Sequence, residues 1–405
     1  MVRNTAHSAS AATHWGFVVL LGALTAFSPM STDMYLPSLP TIGAELSATV
    51  GQTQATMAAF LAGMAIGQVF YGPASDRFGR RPPILIGVAI YVAASALCAL
   101  ATSAEMLIVL RFVQALGGCA GAVAARAVVR DHFDHRETAR MLSLLGLVMG
   151  LAPIVAPLAG GVVLQVAGWR AIFWVLTSFG VIVGAAAFFW LKESRSEATM
   201  VQAKAEHPLR SYLGLLRQPR LVGYALAGAL NGAVLFTYIS SSPSLLIGTY
   251  GISPGAFGWV FGLNSAGLIA AGQINRILLR RLMPDDVLKI ASVVAVAFAV
   301  ALAVAAVTGF GGRWSILPLL FVLLATYGFI PGNTMAGALN VDPLRSGAVS
   351  ALMGAASFGT GALASSLVGL FHDGTARPMA FTMLAALVGS ALSLRFLALR
   401  RDVQV

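Results

Sequence analysis

One carboxylate stands out among the residues that could do chemistry, because it lies in a stretch that must be buried in lipid. Asp33 falls inside the apolar run from Trp15 to Leu39, whereas the rest of the fifteen Asp and Glu residues lie in loops, tails or near the ends of apolar runs. An ionised side chain at the centre of a membrane helix costs roughly 2.5–3.5 kcal/mol, so such residues mark proton or substrate paths. Asp33 is therefore predicted to bind and release a proton or a polar ligand.

A basic residue lies in another apolar run. Arg111 is the one Lys or Arg placed clearly within such a run, and Gln114 follows about one helical turn later on roughly the same face. An arginine beside a polar side chain in a membrane helix faces a cavity or the interior of a bundle. Two alternatives stay open: Arg111 could reach the outer interface, and Asp33 could lie hydrated at the outer mouth beside Ser31 and Thr32.

The rest of the chain must supply the membrane helices that position these charges. With 58% hydrophobic and only 10% charged residues and a mean hydropathy of +0.83, the composition lies outside the range of soluble proteins. Runs of about twenty apolar residues, long enough to cross a ~30 Å hydrocarbon core as helices, recur along the whole chain. We predict an all-α integral membrane protein with twelve transmembrane helices, at 15–39, 52–74, 82–102, 105–128, 141–166, 169–191, 220–248, 255–279, 287–309, 314–338, 346–371 and 377–399.

The net charge of +11 is explained by membrane topology and does not indicate a nucleic-acid partner. If the N-terminus is cytoplasmic, nearly all of the 26 Lys and Arg residues fall in cytoplasmic segments. The exceptions are Arg111 within a span and Arg170, Arg313 and Arg377 on the outer side. By the positive-inside rule, both termini are predicted to be cytoplasmic.

Nothing in the sequence indicates an enzyme, a metal site or a cofactor. The six histidines lie outside the spans without metal-ligand spacing, and no span pairs a nucleophile with a base. A P-loop for ATP is absent, so any active transport would draw on an ion gradient.

The longest polar stretch, 192–219, separates six predicted spans from six others. We predict an N-terminal six-helix bundle over 1–191, a cytoplasmic linker over 192–219 with a short interfacial helix at 209–216, and a C-terminal six-helix bundle over 220–405. A faint repeat supports a duplication: Gly67-Gln68 recurs 205 positions later as Gly272-Gln273, and at that offset Asp33 corresponds to Tyr238. Transporters built from such repeats carry their site between the halves.

Three motifs connect the chain to a known family. The loop after the second span reads GPASDRFGRRPP, in which a glycine permits a tight reversal and the charges can pair with Asp131 and Glu137. This loop resembles the signature of the major facilitator superfamily, where it acts as a cytoplasmic gate latch. The resemblance implies the twelve-helix major facilitator fold and gate roles for Gly72, Asp76, Arg77, Gly79, Arg80 and Arg81.

The fifth span reads GLVMGLAPIVAPLAGG, a face of small residues with two prolines that bend the helix. It resembles the antiporter signature of the superfamily, which favours export over import. The residues that carry this resemblance are Gly146, Gly150, Pro153, Pro157, Gly160 and Gly161.

The segment STDMYLPSLP around Asp33 resembles the first-helix motif of twelve-span drug:proton antiporters, especially the bicyclomycin-resistance (Bcr/CflA) branch. The fourth span resembles the superfamily's arginine motif. These resemblances imply that Asp33 and Arg111 couple proton movement to drug binding in the bacterial inner membrane. In this family, spans one, four, seven and ten are the usual cavity helices. The candidate cavity residues are Tyr35, Gln114, Asn231, Phe236, Tyr238, Asn264 and Asn333, of which Asn264 lies in the eighth span.

The expected function is therefore proton-driven multidrug efflux by a monomer that alternates between inward and outward access. Asp33 would take up a proton as drug leaves and release it as drug binds, and its balance with the Arg111 charge favours neutral or zwitterionic amphiphiles of the amphenicol or bicyclomycin type. A proton-coupled importer or exporter of a small metabolite or sugar has the same fold and remains an alternative. A passive channel is a further alternative, which predicts flux that ignores the proton gradient.

Overall fold

The structure is a computed structural model that describes residues 5–132, 135–195 and 208–399. It is all-helical, with no strand in these three ranges. Eleven described helices are long and apolar enough to cross a membrane. One of them, Leu144–Trp190, consists of two spans that meet at Gly168, where the backbone leaves the helical region. The prediction of twelve membrane helices is thereby confirmed.

The helix bounds follow the apolar runs closely. The first half of the chain contains α1 Thr5–Asp33, α2 Leu39–Glu45, α3 Val50–Phe78, α4 Arg81–Ala99, α5 Ala104–His132 and α6 His135–Trp190. The second half contains α7 Pro208–Leu216, α8 Pro219–Ser242, α9 Pro254–Leu278, α10 Pro284–Thr308, α11 Arg313–Tyr327, α12 Pro331–Val341, α13 Ser346–Leu370 and α14 Arg377–Ser393. A π-helical turn at Pro243–Thr249 extends α8, and another at Leu394–Ala398 extends α14.

The first predicted span is not one continuous helix. Helix α1 ends at Asp33, a short 3₁₀ turn follows at Leu36–Ser38, and α2 completes the crossing. Pro37 explains the interruption, because it has no N–H to bond the carbonyl of Asp33 four residues earlier. The tenth predicted span is likewise divided into α11 and α12, with Pro331 as the first residue of α12.

Consecutive membrane spans run in opposite directions, so we name the two ends of the molecule by residues that lie there. The Arg80 end is where α3 is followed by α4, and the Glu45 end is where α2 is followed by α3. Helices α1 to α6 pack chiefly on one another, as do α8 to α14. The main contacts between these two groups join α3 to α13 and α6 to α9.

The segment between the two groups lies partly outside the described residues, at 196–207. The predicted short helix is present as α7. The Tyr212 hydroxyl donates a 3.4 Å hydrogen bond to the carbonyl of Val69 in α3, and Arg345 donates one of 3.4 Å to the carbonyl of Ser211. Helix α7 therefore touches both groups at the Arg80 end, while the division into 1–191, 192–219 and 220–405 stays a prediction.

Candidate functional site

Asp33 is buried at the point where α1 ends. Its residue surface is only 3% exposed, and its Oδ1 atom has no hydrogen-bond partner among the described residues. Of its neighbours in sequence, Ser31 has its hydroxyl 2.7 Å from the Tyr91 hydroxyl, and Thr32 contacts the Asp33 carboxyl group as well as donating its hydroxyl to the carbonyl of Ser28 at 3.0 Å. The alternative of a hydrated carboxylate at an open outer mouth does not fit this burial.

Arg111 is also fully buried, but no salt bridge joins it to a carboxylate in the described ranges. The guanidinium carbon lies 4.6 Å from the ring centre of Tyr35, 4.3 Å from that of Phe60 and 6.0 Å from that of Phe173. Desolvated cation–π contacts are worth up to about 2 kcal/mol or more. Ring faces therefore provide much of the compensation that an ion pair would otherwise give.

A polar path leads from Arg111 back towards α1. Its Nη1 donates a 2.6 Å hydrogen bond to Gln114, whose amide donates one of 2.8 Å to the Ser95 hydroxyl. Ser95 in turn donates to the backbone carbonyl of Tyr91, the residue whose hydroxyl contacts Ser31. Arg111 and the Asp33 region are thus connected through α4, without a direct ion pair.

The depth of this site follows from the helices around it. The Tyr35 hydroxyl lies 2.6 Å from the hydroxyl of Thr56, the seventh residue of α3. At 1.5 Å per residue, this contact is about 9 Å along α3 from the Glu45 end. Asp33 and Arg111 therefore lie on the Glu45 side of the membrane interior, without reaching its surface.

The remaining predicted cavity residues do not form one group. Asn264 donates a 2.6 Å hydrogen bond to the hydroxyl of Tyr238, and the Phe236 ring packs 5.3 Å from that of Phe358. Two asparagines join helices instead of facing open space. Asn231 donates to Ser390 at 2.8 Å, and Asn333 donates to Asn275 at 3.0 Å. Of the seven predicted residues, Tyr35 and Gln114 are the ones in contact with Arg111.

At the Arg80 end, the predicted gate loop forms a compact ionic network. Arg80 is 4% exposed; its Nε donates to Asp131 at 2.7 Å and its Nη1 to Asp76 at 2.7 Å. Asp76 also lies 3.4 Å from Arg195, which follows the sixth span. The loop after the second span is thereby tied to the end of α5 and to the segment after α6, and the predicted pairing with Asp131 is confirmed.

Glu193 is a residue of this network that the sequence reasoning missed. Its carboxylate accepts the backbone N–H groups of Arg80 at 2.8 Å and of Arg81 at 3.1 Å, at the start of α4. The next two residues, Pro82 and Pro83, have no N–H, so the four donors usually left over at a helix start are fully accounted for. The signal that could have found it is an acidic residue placed directly after an apolar span.

The pKa of Glu193 and the backbone conformation of Gly79 both agree with this cap. Burial disfavours the carboxylate, but the N–H groups of Arg80, Arg195, Arg81 and Ser194 outweigh it and hold the pKa of Glu193 below its ordinary value. Gly79 has φ 90° and ψ 170°, a conformation that is essentially reserved for glycine. A Cβ there would also lie 2.5 Å from a carboxylate oxygen of Glu193.

Two cavities lie between the two groups of helices. The larger, of about 650 Å³, is at the Arg80 end and is lined by Gln68 and Asp76 of α3, Tyr212 of α7 and Ala351 of α13, among others. The smaller, of about 470 Å³, is at the Glu45 end. Beside it, the Gln54 amide donates a 3.2 Å hydrogen bond to Ser244, which joins the two groups. Neither cavity is lined by Asp33, Arg111 or the seven predicted cavity residues.

The sequence profile described as the Major Facilitator Superfamily matches residues 21–368. The chain belongs to the major facilitator superfamily. It is a multi-pass membrane transporter and not an enzyme.

Two similar proteins within the superfamily carry drug-resistance names. A "Bicyclomycin resistance protein homolog" of Haemophilus influenzae is 33% identical over 384 residues, which cover 95% of this chain and 96% of the relative. A "Multidrug resistance protein MdtL" of Escherichia coli is 29% identical over 390 residues, covering 96% and 97%. The resemblance to the bicyclomycin-resistance branch is thereby confirmed.

Solved structures of the superfamily share the fold. A D-xylose–proton symporter superposes with a TM-score of 0.71 at 14% sequence identity, covering 94% of this chain and 96% of that chain. At such low identity the likeness concerns the fold alone.

Proposed function

We propose that this superfamily member is a proton-coupled drug efflux transporter of the bacterial inner membrane, with both termini in the cytoplasm. The observation that carries the proposal is Asp33, a buried carboxylate at a helix break whose Oδ1 has no partner in the described chain. A carboxylate at this depth is costly unless it exchanges a proton or binds a ligand. The names of the two relatives supply the drug as the transported class.

The proton and the drug would act on Asp33 in opposite directions. When the site faces the outside, Asp33 takes up a proton and the drug leaves; when it faces the cytoplasm, the proton leaves and the drug binds. Each inward proton gains ~2.3 kcal/mol per 100 mV of membrane potential. In this cycle one carboxyl group carries the proton whose inward movement drives transport, and the two six-helix bundles rock around it.

The electrostatics of the site favour neutral or zwitterionic amphiphiles as substrates. Arg111 keeps its charge throughout the cycle, held by the rings of Tyr35, Phe60 and Phe173. With Asp33 ionised the pair is neutral, and with Asp33 protonated it carries +1. A dicationic drug would therefore be repelled in one half of the cycle, whereas an amphenicol-type or bicyclomycin-type drug would not.

The conformation fits a cytoplasm-facing state under this proposal. The larger cavity lies at the Arg80 end, which is the cytoplasmic end if the basic loops are inside. At the Glu45 end the helix groups meet through Gln54 and Ser244, and a Cβ on Gly51 would lie 3.0 Å from the carbonyl oxygen of Gly369. Drug would enter from the Arg80 end.

The decisive experiment is drug-susceptibility profiling in an efflux-deficient bacterial host. Wild type is expected to raise resistance to amphenicols or bicyclomycin, and Asp33→Asn and Arg111→Ala are expected to abolish that gain. Glu105→Gln is the matched control, because that carboxylate is exposed at the start of α5. Resistance that survives in Asp33→Asn would refute proton coupling through this residue.

Flux measurements in inverted vesicles separate the other two transport modes. Efflux predicts drug accumulation inside these vesicles that stops when the proton gradient is collapsed. Drug movement that persists without the gradient would identify a passive channel, and uptake of a sugar in whole cells with no drug resistance would identify an importer.

A further inference from the structure

The backbone around Asp33 is held by three different helices. Two residues before Asp33, the Ser31 hydroxyl meets Tyr91 of α4 at 2.7 Å. Two residues after it, the Tyr35 hydroxyl meets Thr56 of α3 at 2.6 Å. The segment between these anchors is where α1 stops, since Pro37 leaves the Asp33 carbonyl without its usual helical partner.

The third contact is made by a glycine of α6. A Cβ on Gly160 would lie 2.0 Å from the carbonyl oxygen of Met34, 2.7 Å from its carbonyl carbon and 2.9 Å from its Cα. All three are backbone atoms, so no change of side-chain rotamer could relieve the overlap. The residue directly after Asp33 is thus packed against α6 at a distance that only glycine permits.

The other glycines of the same helix motif do not have this contact. A Cβ on Gly146 would meet nothing within 4 Å, and one on Gly150 would lie 3.6 Å from the flexible end of Ile269. One on Gly161 would lie 3.4 Å from the carbonyl of Pro254. The requirement for glycine at 160 therefore arises from the Met34 backbone directly after α1 and is not a general property of the motif.

The carboxyl group of Asp33 depends on this backbone contact for its position. Its Oδ1 has no hydrogen-bond partner in the described ranges, and no salt bridge to Arg111 is present there. Its side-chain contact with Thr32 is local to the same segment, so the carboxyl group is directed by its own Cα and the peptide that follows. We propose that Gly160 is a positioning residue for Asp33: by admitting the backbone of Met34 it sets the depth and surroundings of the carboxyl group. The functional meaning of this role rests on the proposed proton coupling.

The test measures the protonation of Asp33 directly, without transport. Dicyclohexylcarbodiimide labels protonated carboxyl groups in apolar surroundings, and mass spectrometry gives the labelled fraction of the Asp33 peptide as a function of pH. In purified Gly160→Ala the labelling midpoint is expected to move by about one pH unit, a tenfold change in the protonation equilibrium. An unchanged midpoint in folded Gly160→Ala would overturn the inference.

Gly22→Ala is the matched control. It makes the same change in the same pair of helices, because a Cβ on Gly22 of α1 would touch a Val148 methyl of α6 at an ordinary 3.4 Å. Its labelling midpoint is expected to equal that of wild type. An equal shift in this control would mean that any added methyl between α1 and α6 has the effect, and would also overturn the inference.

A second variant covers the case in which Gly160→Ala does not fold. Pro37→Ala restores the N–H that the Asp33 carbonyl lacks, so α1 can continue and Met34 leaves its contact with Gly160. Its labelling midpoint is also expected to shift, and a midpoint equal to wild type would count against the inference. A failure of the proposed function is recognised separately, by Asp33→Asn cells that keep their drug resistance whatever the labelling shows.

Discussion

Gly79 and Gly168 have the same rare backbone conformation, so a comparison of their alanine variants isolates the contribution of the Glu193 cap to stability. Gly79 has φ 90° and ψ 170°, and Gly168 has φ 77° and ψ 175°. Alanine in this region costs about 1–3 kcal/mol in strain at either position. The surroundings differ, because a Cβ at 79 would lie 2.5 Å from the Glu193 carboxylate, whereas one at 168 meets nothing within 4 Å.

The expected losses in the free energy of unfolding follow from this difference. Gly168→Ala should cost the strain alone, about 1–3 kcal/mol. Glu193→Ala should cost about 1–2 kcal/mol, the usual effect of losing a helix N-cap. Gly79→Ala combines strain with displacement of the cap, so we expect about 2–5 kcal/mol. In the double variant Gly79→Ala/Glu193→Ala the cap is lost only once, and the loss should equal that of Gly79→Ala.

The assay is unfolding by SDS in mixed micelles, followed by the reaction of a thiol dye with Cys98 and Cys119. Both cysteines are free and buried, so they react as the helices separate. Equal losses for Gly79→Ala and Gly168→Ala would refute the reasoning. So would a double variant whose loss is the sum of the two single losses, because independent sites add and coupled sites do not.

Three further outcomes are expected. Because the pKa of Glu193 is lower in the folded protein than its unfolded value near 4.5, the ionised carboxylate stabilises the fold fully above pH 4.5, and this stabilisation is lost as the pH falls further. Glu193→Gln should therefore make the unfolding midpoint less dependent on pH in the acid range. An unchanged dependence on acid pH would contradict the cap. Arg111→Lys should lose most drug resistance, as Arg111→Ala does, since an ammonium cannot stack on three rings as a planar guanidinium does; near-wild-type resistance would show that charge alone suffices. Gln54→Cys/Ser244→Cys should be cross-linked by a short bis-methanethiosulfonate reagent, which spans the length lost with the glutamine side chain, and this should block vesicle transport until a reductant is added; transport that continues in the cross-linked protein would mean that this contact need not open.

The sequence predicted the membrane helices well, because apolar length along the chain is a one-dimensional property. Even so, it did not reveal that the first crossing stops at Asp33. Pro37 and Pro40 were a visible signal for that break, since each removes a backbone donor. They do not indicate which helix packs against this break, which in the structure is α6 through Gly160.

The candidate site was predictable in its residues and not in its contacts. Asp33 and Arg111 are conspicuous because charge is rare in apolar runs, and each is buried in the structure. Which groups surround the Arg111 guanidinium was not predictable: it rests on the rings of Tyr35, which follows α1, Phe60 of α3 and Phe173 of α6. Aromatic residues are so common in membrane helices that no spacing rule distinguishes those that hold a cation. The hydrogen-bond partner of Asn231 was equally unpredictable, because Ser390 lies 159 positions away in the sequence.

The cap at the start of α4 also has a consequence for biogenesis. The hydrogen bond from the Arg80 N–H to Glu193 spans 113 positions of sequence. A ribosome therefore delivers α4 to the membrane long before the carboxylate that completes its first turn exists. Until the sixth span has been inserted, the donors of Arg80 and Arg81 depend on water or lipid headgroups at the membrane surface. The assembly of this corner is thus a late event of synthesis, and chains that stop before residue 193 would leave its first turn uncapped.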